Sequence, residues 1–297
     1  MPEPPPHPQA PSFSRSAVAS AASAASAASA ASRLTLCGSL SLHPVSTGAA
    51  MHLAAYRALD LPFTYVPFAV TDLEGAVKGM RALGIRGLGI SMPYKQAVIP
   101  LVDALDPVAA RISAVNTLVY EGGRITGHNT DWIGAMRALE EVTPIEGRRA
   151  LLLGAGGAAR AIAFGLRERG AALTIANRDR VKAERLAEET GAAATALDEA
   201  AFAAEPEILI NATSRGMAEV DPRSPVPVEA LRPGQVVMDI VYKPLWTELC
   251  DAARRRGATA IHGGRMLLHQ AAEQFRLYTG LRAPLEVMNE ALRAQLG

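Results

Sequence analysis

The stretch Ala150-Leu151-Leu152-Leu153-Gly154-Ala155-Gly156-Gly157-Ala158-Ala159 decides the fold. Its apolar start suits a buried strand, and residues 156–169 carry helical periodicity. Between them stands Gly-x-Gly-x-x-Ala. The first glycine of such a turn permits the sharp bend, and the second lets the backbone approach a pyrophosphate. The small last residue lets the helix pack on the sheet. The helix N-terminus then offers free N–H groups and the positive end of its dipole. Gly154, Ala155, Gly156, Gly157 and Ala158 are therefore expected dinucleotide contacts. A glycine-rich turn in an unrelated α/β domain is the competing reading, which the flanking strand and helix weigh against.

The next strand tests which nucleotide is held. It runs through residues 172–176 into Asn177-Arg178-Asp179-Arg180. An NAD site places an acidic residue about 20 residues past the glycines to meet the ribose hydroxyls. Here Asn177 stands at the strand end and Arg178 follows. A guanidinium suits a 2′-phosphate in fork geometry and in charge. Lys182, four residues on, shares that helical face. The pattern favours NADP, with Asn177, Arg178 and Lys182 as contacts. Asp179 opposes it unless its carboxylate is turned away, and a solvated helix start is the plainer account of these charges.

Outward from this core, strand and helix alternate. Before it, strand patterns at 34–37, 63–68, 87–92, 114–120 and 124–127 interleave with helical ones at 50–59, 71–83 and 130–142. Thr71 or Asp72 can cap the second helix. After it come a helix at 180–189, strands at 208–211 and 236–240, and helices at 245–256, 266–279 and 284–295. This is an α/β chain with a break near Glu146-Gly147. The expected organisation is a catalytic α/β domain over 33–132, completed by helices in 265–297, and a Rossmann-type domain over 133–264. Residues 1–32 are Pro-rich, then an uncharged Ala/Ser repeat, and are expected to be a disordered tail or an over-extended start.

Composition narrows the function. Lys plus Arg is 30 against 29 acidic residues, and aromatics are 5%. Neither a basic face nor a base-stacking platform is implied, so nucleic acid is not an expected partner. No stretch reaches the apolar length of a membrane span. The cysteines, Cys37 and Cys250, fit a reducing cytosol, although one bridge between them is open. No metal-site spacing occurs. Lysine and asparagine are scarce: Lys78, Lys95, Lys182 and Lys243, with Asn116, Asn129, Asn177, Asn211 and Asn289. In an Ala- and Arg-rich chain, the positions they keep are informative.

Three of them, Lys95, Asn116 and Asn129, fall in short segments of the first half. Ser91-Met92-Pro93-Tyr94-Lys95 ends a buried strand, Ala114-Val115-Asn116-Thr117 follows, and Asn129-Thr130-Asp131 opens a helix. Beside a nicotinamide, a Lys near an Asp can relay a hydroxyl proton or stabilise a developing alkoxide. Asp131 at a helix N-terminus can orient the Lys and a substrate hydroxyl. From spacing alone, a surface Lys and a helix-capping Asp are the more ordinary account. Met80, Met92 and Met136 look like core residues, and His43 and His128 like solvated ones.

Taken together, these motifs resemble the shikimate dehydrogenase family from about residue 34 to residue 296. The carriers are Met92-Pro93-Tyr94-Lys95, Ala114–Thr117, Asn129–Asp131, the turn from Gly154 to Arg160, Asn177-Arg178, Asn211-Ala212-Thr213-Ser214, Asp239-Ile240-Val241-Tyr242 and Met266-Leu267-Leu268-His269-Gln270-Ala271. The resemblance implies a cytoplasmic NADP-dependent enzyme, monomer or homodimer. It would interconvert shikimate and 3-dehydroshikimate on the route to chorismate and the aromatic amino acids. It implies Lys95 and Asp131 as the catalytic pair. Asn116, Tyr242, Gln270 and Ser91 become substrate contacts, and Thr213 and Gly263 cofactor contacts.

Departures lie in the loop Ser39-Leu40-Ser41-Leu42-His43-Pro44-Val45-Ser46-Thr47-Gly48. The family usually has two serines there for the substrate carboxylate. Ser46 meets one of them, and the second hydroxyl is Thr47 or Ser41. Gly89 stands where the family often has Asn. This loop, with Ile85-Arg86-Gly87 and Ser91-Met92-Pro93, looks closer to a divergent shikimate-dehydrogenase-like subgroup. Quinate or another cyclic hydroxy acid is the alternative substrate, and a nucleotide-binding regulatory protein with little turnover is the alternative role.

Overall fold

The computed structural model describes residues 34–197 and 205–297, so the 1–32 segment lies outside the described residues. The chain builds two six-stranded sheets, each an α/β layer.

The first contains β1 (Thr35–Ser41), β2 (Phe63–Ala69), β3 (Gly87–Ile90), β4 (Ala104–Leu105), β5 (Thr117–Glu121) and β6 (Arg124–His128), in the order β2-β1-β3-β5-β6-β4. β1 pairs in parallel with β2 and β3, whereas β5 runs antiparallel to both β3 and β6. Its helices include α1 (Thr47–Ala58), α2 (Leu73–Leu83), the single turn α3 (Tyr94–Ala97) and α4 (Pro107–Ile112). Asp72, rather than Thr71, caps α2 by accepting from the Gly75 N–H at 2.9 Å.

α5 (Asp131–Glu140) leads from β6 into the second sheet. That sheet orders β12-β11-β10-β7-β8-β9, all parallel. Its strands are β7 (Arg149–Leu153), β8 (Ala172–Asn177), β9 (Ala193–Ala196), β10 (Ile208–Asn211), β11 (Val236–Asp239) and β12 (Thr259–Ile261). Helices α6 (Gly157–Glu168), α7 (Arg180–Thr190) and α8 (Glu248–Arg255) join them. The Ala-rich face of α6 buries Ala159, Ile162, Ala163 and Leu166 in the core over β7 and β8.

α9 (Gly263–Thr279) starts in that core with Met266 and finishes in the other. Its Leu268, Ala271, Phe275 and Tyr278, with Met288 and Leu292 of α10 (Leu285–Leu296), pack against Cys37, Met51 and Tyr56. α5 and α9 lie in close contact because Gly134 has no side chain: a Cβ there would fall 2.8 Å from the Gln270 Cβ.

Several expectations change. β3 ends at Ile90 rather than at Met92, and β5 begins at Thr117 rather than at 114. The freed segments 91–93 and 114–116 are loops that carry site residues. α1 starts at Thr47, which buries the Thr47 side chain. Met80 and Met136 are core, but Met92 is 67% exposed in its loop. α4 was signalled by Asp106-Pro107, a cap followed by proline at the first helical position; Asp106 accepts from the Val108 and Ala109 N–H groups. β9 and β12 are short edge strands, where burial leaves little pattern to read. Both cysteines are free and buried, and burial pushes each thiol up to about 12. Among the described residues no helix is long and apolar enough to cross a membrane, and no cluster of His, Cys, Asp or Glu could hold a metal ion.

Candidate active site

Lys95 and Asp131 come together. Lys95 lies in α3, just past the end of β3, and the Val115 N–H bonds its carbonyl at 2.7 Å. Asp131 is the first residue of α5. Asn129 fixes that helix start: its Oδ1 accepts from the Asp131 N–H at 3.0 Å, and its Nδ2 donates to the Ala114 carbonyl at 2.9 Å. The Lys95 Nζ then meets the Asp131 Oδ2 at 2.6 Å, with side chains 18% and 7% exposed. A charge pair so withdrawn from water is little screened, and the first turn of α5 favours the carboxylate charge.

Asn116 is the hub beside this pair. Its Nδ2 donates to the Asp131 Oδ1 at 2.8 Å and to the Thr130 Oγ1 at 3.0 Å, with the Gln270 Oε1 at 3.4 Å. Its Oδ1 accepts from the Thr130 N–H at 2.7 Å and from the Thr117 hydroxyl at 2.8 Å. A backbone N–H can only donate, so the amide orientation is fixed and the NH2 group faces the carboxylate. Asp131 is thus held at one oxygen by a cation and at the other by an amide.

The glycine turn closes the other side. Gly154 adopts φ +112°, and a Cβ there would lie 3.0 Å from the Ala212 carbonyl, so the turn needs glycine. Gly156 has open space where a Cβ would project, which leaves its backbone accessible. The nearest side chain to the corresponding point on Gly157 is Lys95, with its Cδ at 3.8 Å. The aliphatic stem of Lys95, from the first sheet, therefore lies against the nucleotide turn of the second. Beyond the turn, a cleft of about 720 Å³ is lined by Gln96, Ala155, Gly156, Asn177, Arg178, Asp179 and Lys182. Asp179 caps α7, accepting from the Lys182 N–H at 3.3 Å, and lies 3.5 Å from the Lys182 Nζ. Its charge is spent on the helix start. An open backbone turn, a helix N-terminus and a basic far wall fit a dinucleotide phosphate.

Comparison with known proteins gives the same picture along the chain. The shikimate dehydrogenase substrate binding domain model matches residues 43–118. The shikimate / quinate 5-dehydrogenase model matches 137–240, and the shikimate 5′-dehydrogenase C-terminal domain model matches 263–293. The shikimate dehydrogenase (NADP(+)) of Methanothermobacter thermautotrophicus is 44% identical over 273 residues, covering 86% of this chain and 94% of that protein. The chain belongs to the shikimate dehydrogenase family. A crystal structure of the Thermus thermophilus enzyme in complex with NADP(H) and shikimate superposes with TM-score 0.81 at 39% identity, covering 89% of this chain and all of that one. A shikimate 5-dehydrogenase-like protein is a further neighbour, with TM-score 0.79 at 33% identity, covering 88% of this chain and 97% of that one. The named dehydrogenases are thus the nearer of these in sequence.

The remaining expected residues divide. Gln270 reaches the Asn116 hub. Ser46 does not: its hydroxyl donates to the Gln295 Oε1 of α10 at 2.9 Å, and the residue is exposed. Thr47 is buried beside it, and Ser91 is exposed in its loop. Tyr242 is half-buried, and burial raises its phenol above the ordinary value. Thr213 is held to the Asn211 Oδ1 through both its N–H and its hydroxyl. Gly263 has a packing reason to be glycine, since a Cβ there would fall 2.2 Å from the Ile240 carbonyl.

The sequence pattern does not reveal two further partners. Asp239 accepts from Asn211 at 2.9 Å, the Val241 N–H at 3.0 Å and Thr247 at 2.7 Å, and so braces the Thr213 loop from behind. Gln274 lies one helical turn beyond Gln270 and bonds Thr117 and Asn116. The i, i+4 spacing of two glutamines was the available signal.

Proposed function

We propose that this chain is an NADP-dependent oxidoreductase that interconverts shikimate and 3-dehydroshikimate. The observation that carries the reading is the Lys95–Asp131 pair, 2.6 Å apart and beside the nucleotide turn at Gly157. Oxidising a secondary alcohol removes a hydride from carbon and a proton from oxygen. When bound, the nicotinamide supplies the hydride acceptor, or the donor in reverse. Lys95 handles the oxygen: it relays the hydroxyl proton or stabilises the developing alkoxide. Asp131 orients Lys95 and a substrate hydroxyl, and Asn116 keeps that carboxylate in place. Asn116, Gln270 and Tyr242 supply fixed polar groups for a polyol, and Ser46, Thr47 and Ser91 face its carboxylate end. Gly154 to Ala158, Thr213 and Gly263 hold the dinucleotide backbone, with Asn177, Arg178 and Lys182 at the adenosine 2′-phosphate. Residues 33–132 with 265–297 act as the substrate part and 133–264 as the nucleotide part, in a cytoplasmic enzyme.

A second reading, quinate or another cyclic hydroxy acid, is favoured by the Ser46 hydroxyl, which is engaged by Gln295. The test is NADPH formation by the purified chain with shikimate, quinate and related cyclic hydroxy acids. The highest kcat/KM with shikimate is expected. Turnover of quinate alone would move the assignment to the second reading, and turnover of none would overturn both.

A further inference from the structure

Gln274 is 5% exposed, on the face of α9 that covers the start of β5. Its Nε2 donates to the Thr117 Oγ1 at 3.0 Å and lies 3.3 Å from the Asn116 backbone carbonyl. A backbone carbonyl only accepts, so the nitrogen end of this amide must face it. The Thr117 hydroxyl has a single proton. With its lone-pair side taken by Gln274, that proton goes to the Asn116 Oδ1 at 2.8 Å. Together with the Thr130 N–H on the same oxygen, this leaves the Asn116 Nδ2 for Asp131 at 2.8 Å. Hydrogen bonds in such a chain polarise one another, and all of these point the same way.

We infer that Gln274 is a positioning residue for the reaction: it acts through Thr117 and Asn116 to aim the Asn116 amide at Asp131. The inference rests on the proposed roles of Lys95 and Asp131. α9 grips Asn116 at both ends, with Gln274 at the backbone carbonyl and Gln270 at the side-chain amide. Gly89 makes room for this grip. A Cβ on Gly89 would lie 3.3 Å from the Gln274 Nε2 and 3.2 Å from the Tyr65 hydroxyl, tight enough that the amide must shift.

The test compares Gln274→Met, Gln274→Glu and Gly89→Ala in the full chain. Each is measured for kcat and KM with shikimate across pH, for NADP binding without substrate, and for thermal unfolding. Gln274→Met keeps the volume and loses the donors; about a tenfold fall in kcat is expected, with NADP affinity unchanged. Gln274→Glu reverses the polarity, because a carboxylate accepts the Thr117 proton and faces a carbonyl. Its loss is expected to be larger at high pH and to shrink toward acid pH, where the protonated acid donates again. A residue that merely fills space would lose kcat only in step with its loss of thermal stability, in both variants and at every pH. Gly89→Ala disturbs the same amide without adding charge, and its effect should be less than additive with Gln274→Met. A crystal structure of Gln274→Met adds a readout independent of turnover. An Asn116–Asp131 hydrogen bond that is broken, or stretched beyond bonding range, supports the inference. The same bond intact, with kcat within twofold of the unchanged chain, overturns it. Failure of the unchanged chain to turn over shikimate would count against the functional reading alone.

Discussion

The two ends of the site are built in opposite ways. At the chemical end, Asp131 is 5% exposed, with Lys95 at one oxygen and, at the other, Asn116, itself braced by Thr130, Thr117 and α9. At the phosphate end, Arg178 and Lys182 stand on the wall of an open cleft, and the Lys182 side chain is 68% exposed with Asp179 3.5 Å away. Proton handling, the task proposed for Lys95 and Asp131, tolerates little misplacement, which suits groups ordered in advance. Recognition of a 2′-phosphate, the task proposed for Arg178 and Lys182, draws on charge as well as geometry, and exposed cations supply that charge at the cost of screening by salt.

Removing the amine held by that fixed carboxylate should therefore do the greatest damage. Lys95→Ala is expected to lower kcat by about a thousandfold while leaving NADP affinity within about threefold. Steady-state kinetics and a cofactor-binding titration check this. Undiminished turnover would break the contrast, since the ordered end would then have no chemical task.

One ordered element lies on the cofactor side. Asp239 is fully buried behind the Thr213 loop, and burial raises its carboxyl to about 6 against the bonds from Thr247, the Val241 N–H and Asn211. A carboxyl whose folded value exceeds its unfolded one contributes stability in acid, and that contribution is lost as pH rises through about 6. Relative to the unchanged chain, Asp239→Asn should gain about 2 kcal/mol of stability between about pH 4 and pH 8. Denaturant unfolding at the two pH values reads the sign directly. No change of the difference with pH would mean that Asp239 titrates as an ordinary carboxyl.

At the open end the expected effect is smaller and selective. Arg178→Ala should raise the KM for NADP about tenfold and that for NAD by less than about twofold. The NADP effect should also shrink as salt rises. Equal losses with both cofactors would remove the 2′-phosphate role from Arg178.

The same contrast explains what the sequence made legible. Gly154, Gly156, Lys95, Asn116 and Asp131 sit in short segments where backbone geometry or chemistry restricts residue type, and local pattern finds them. Scarce Lys and Asn point the same way. The boundaries at Ile90 and Thr117 are misplaced by pattern because apolar residues, Met92 on one side and Ala114 with Val115 on the other, stand just beyond the strand ends. Gln274 and Asp239 act through bonds made only when α9 or β11 is in place: Gln274 is 157 residues from Thr117 in the chain, and Asp239 is 28 from Asn211. Local pattern offers at most the i, i+4 spacing of Gln270 and Gln274, and it names no partner for either Gln274 or Asp239. Met92 misleads for a related reason: an apolar residue in an apolar stretch is core only if the strand continues through it.

The smallest effect lies where the two designs meet, at the loop before α1. The Ser46 hydroxyl is proposed to face the substrate carboxylate, yet it donates to Gln295 in an exposed pair. An exposed neutral hydrogen bond has a net value of about 1 kcal/mol or less, because water competes for both partners. Substrate would have to displace it. Gln295→Ala frees the hydroxyl and should lower the KM for shikimate by about twofold, with kcat unchanged. Ser46→Ala should raise that KM and abolish the benefit of the Gln295 change in the double variant. If Ser46→Ala leaves KM unaltered, Ser46 belongs to the α1–α10 packing alone, and the carboxylate must be met by Thr47 or Ser41.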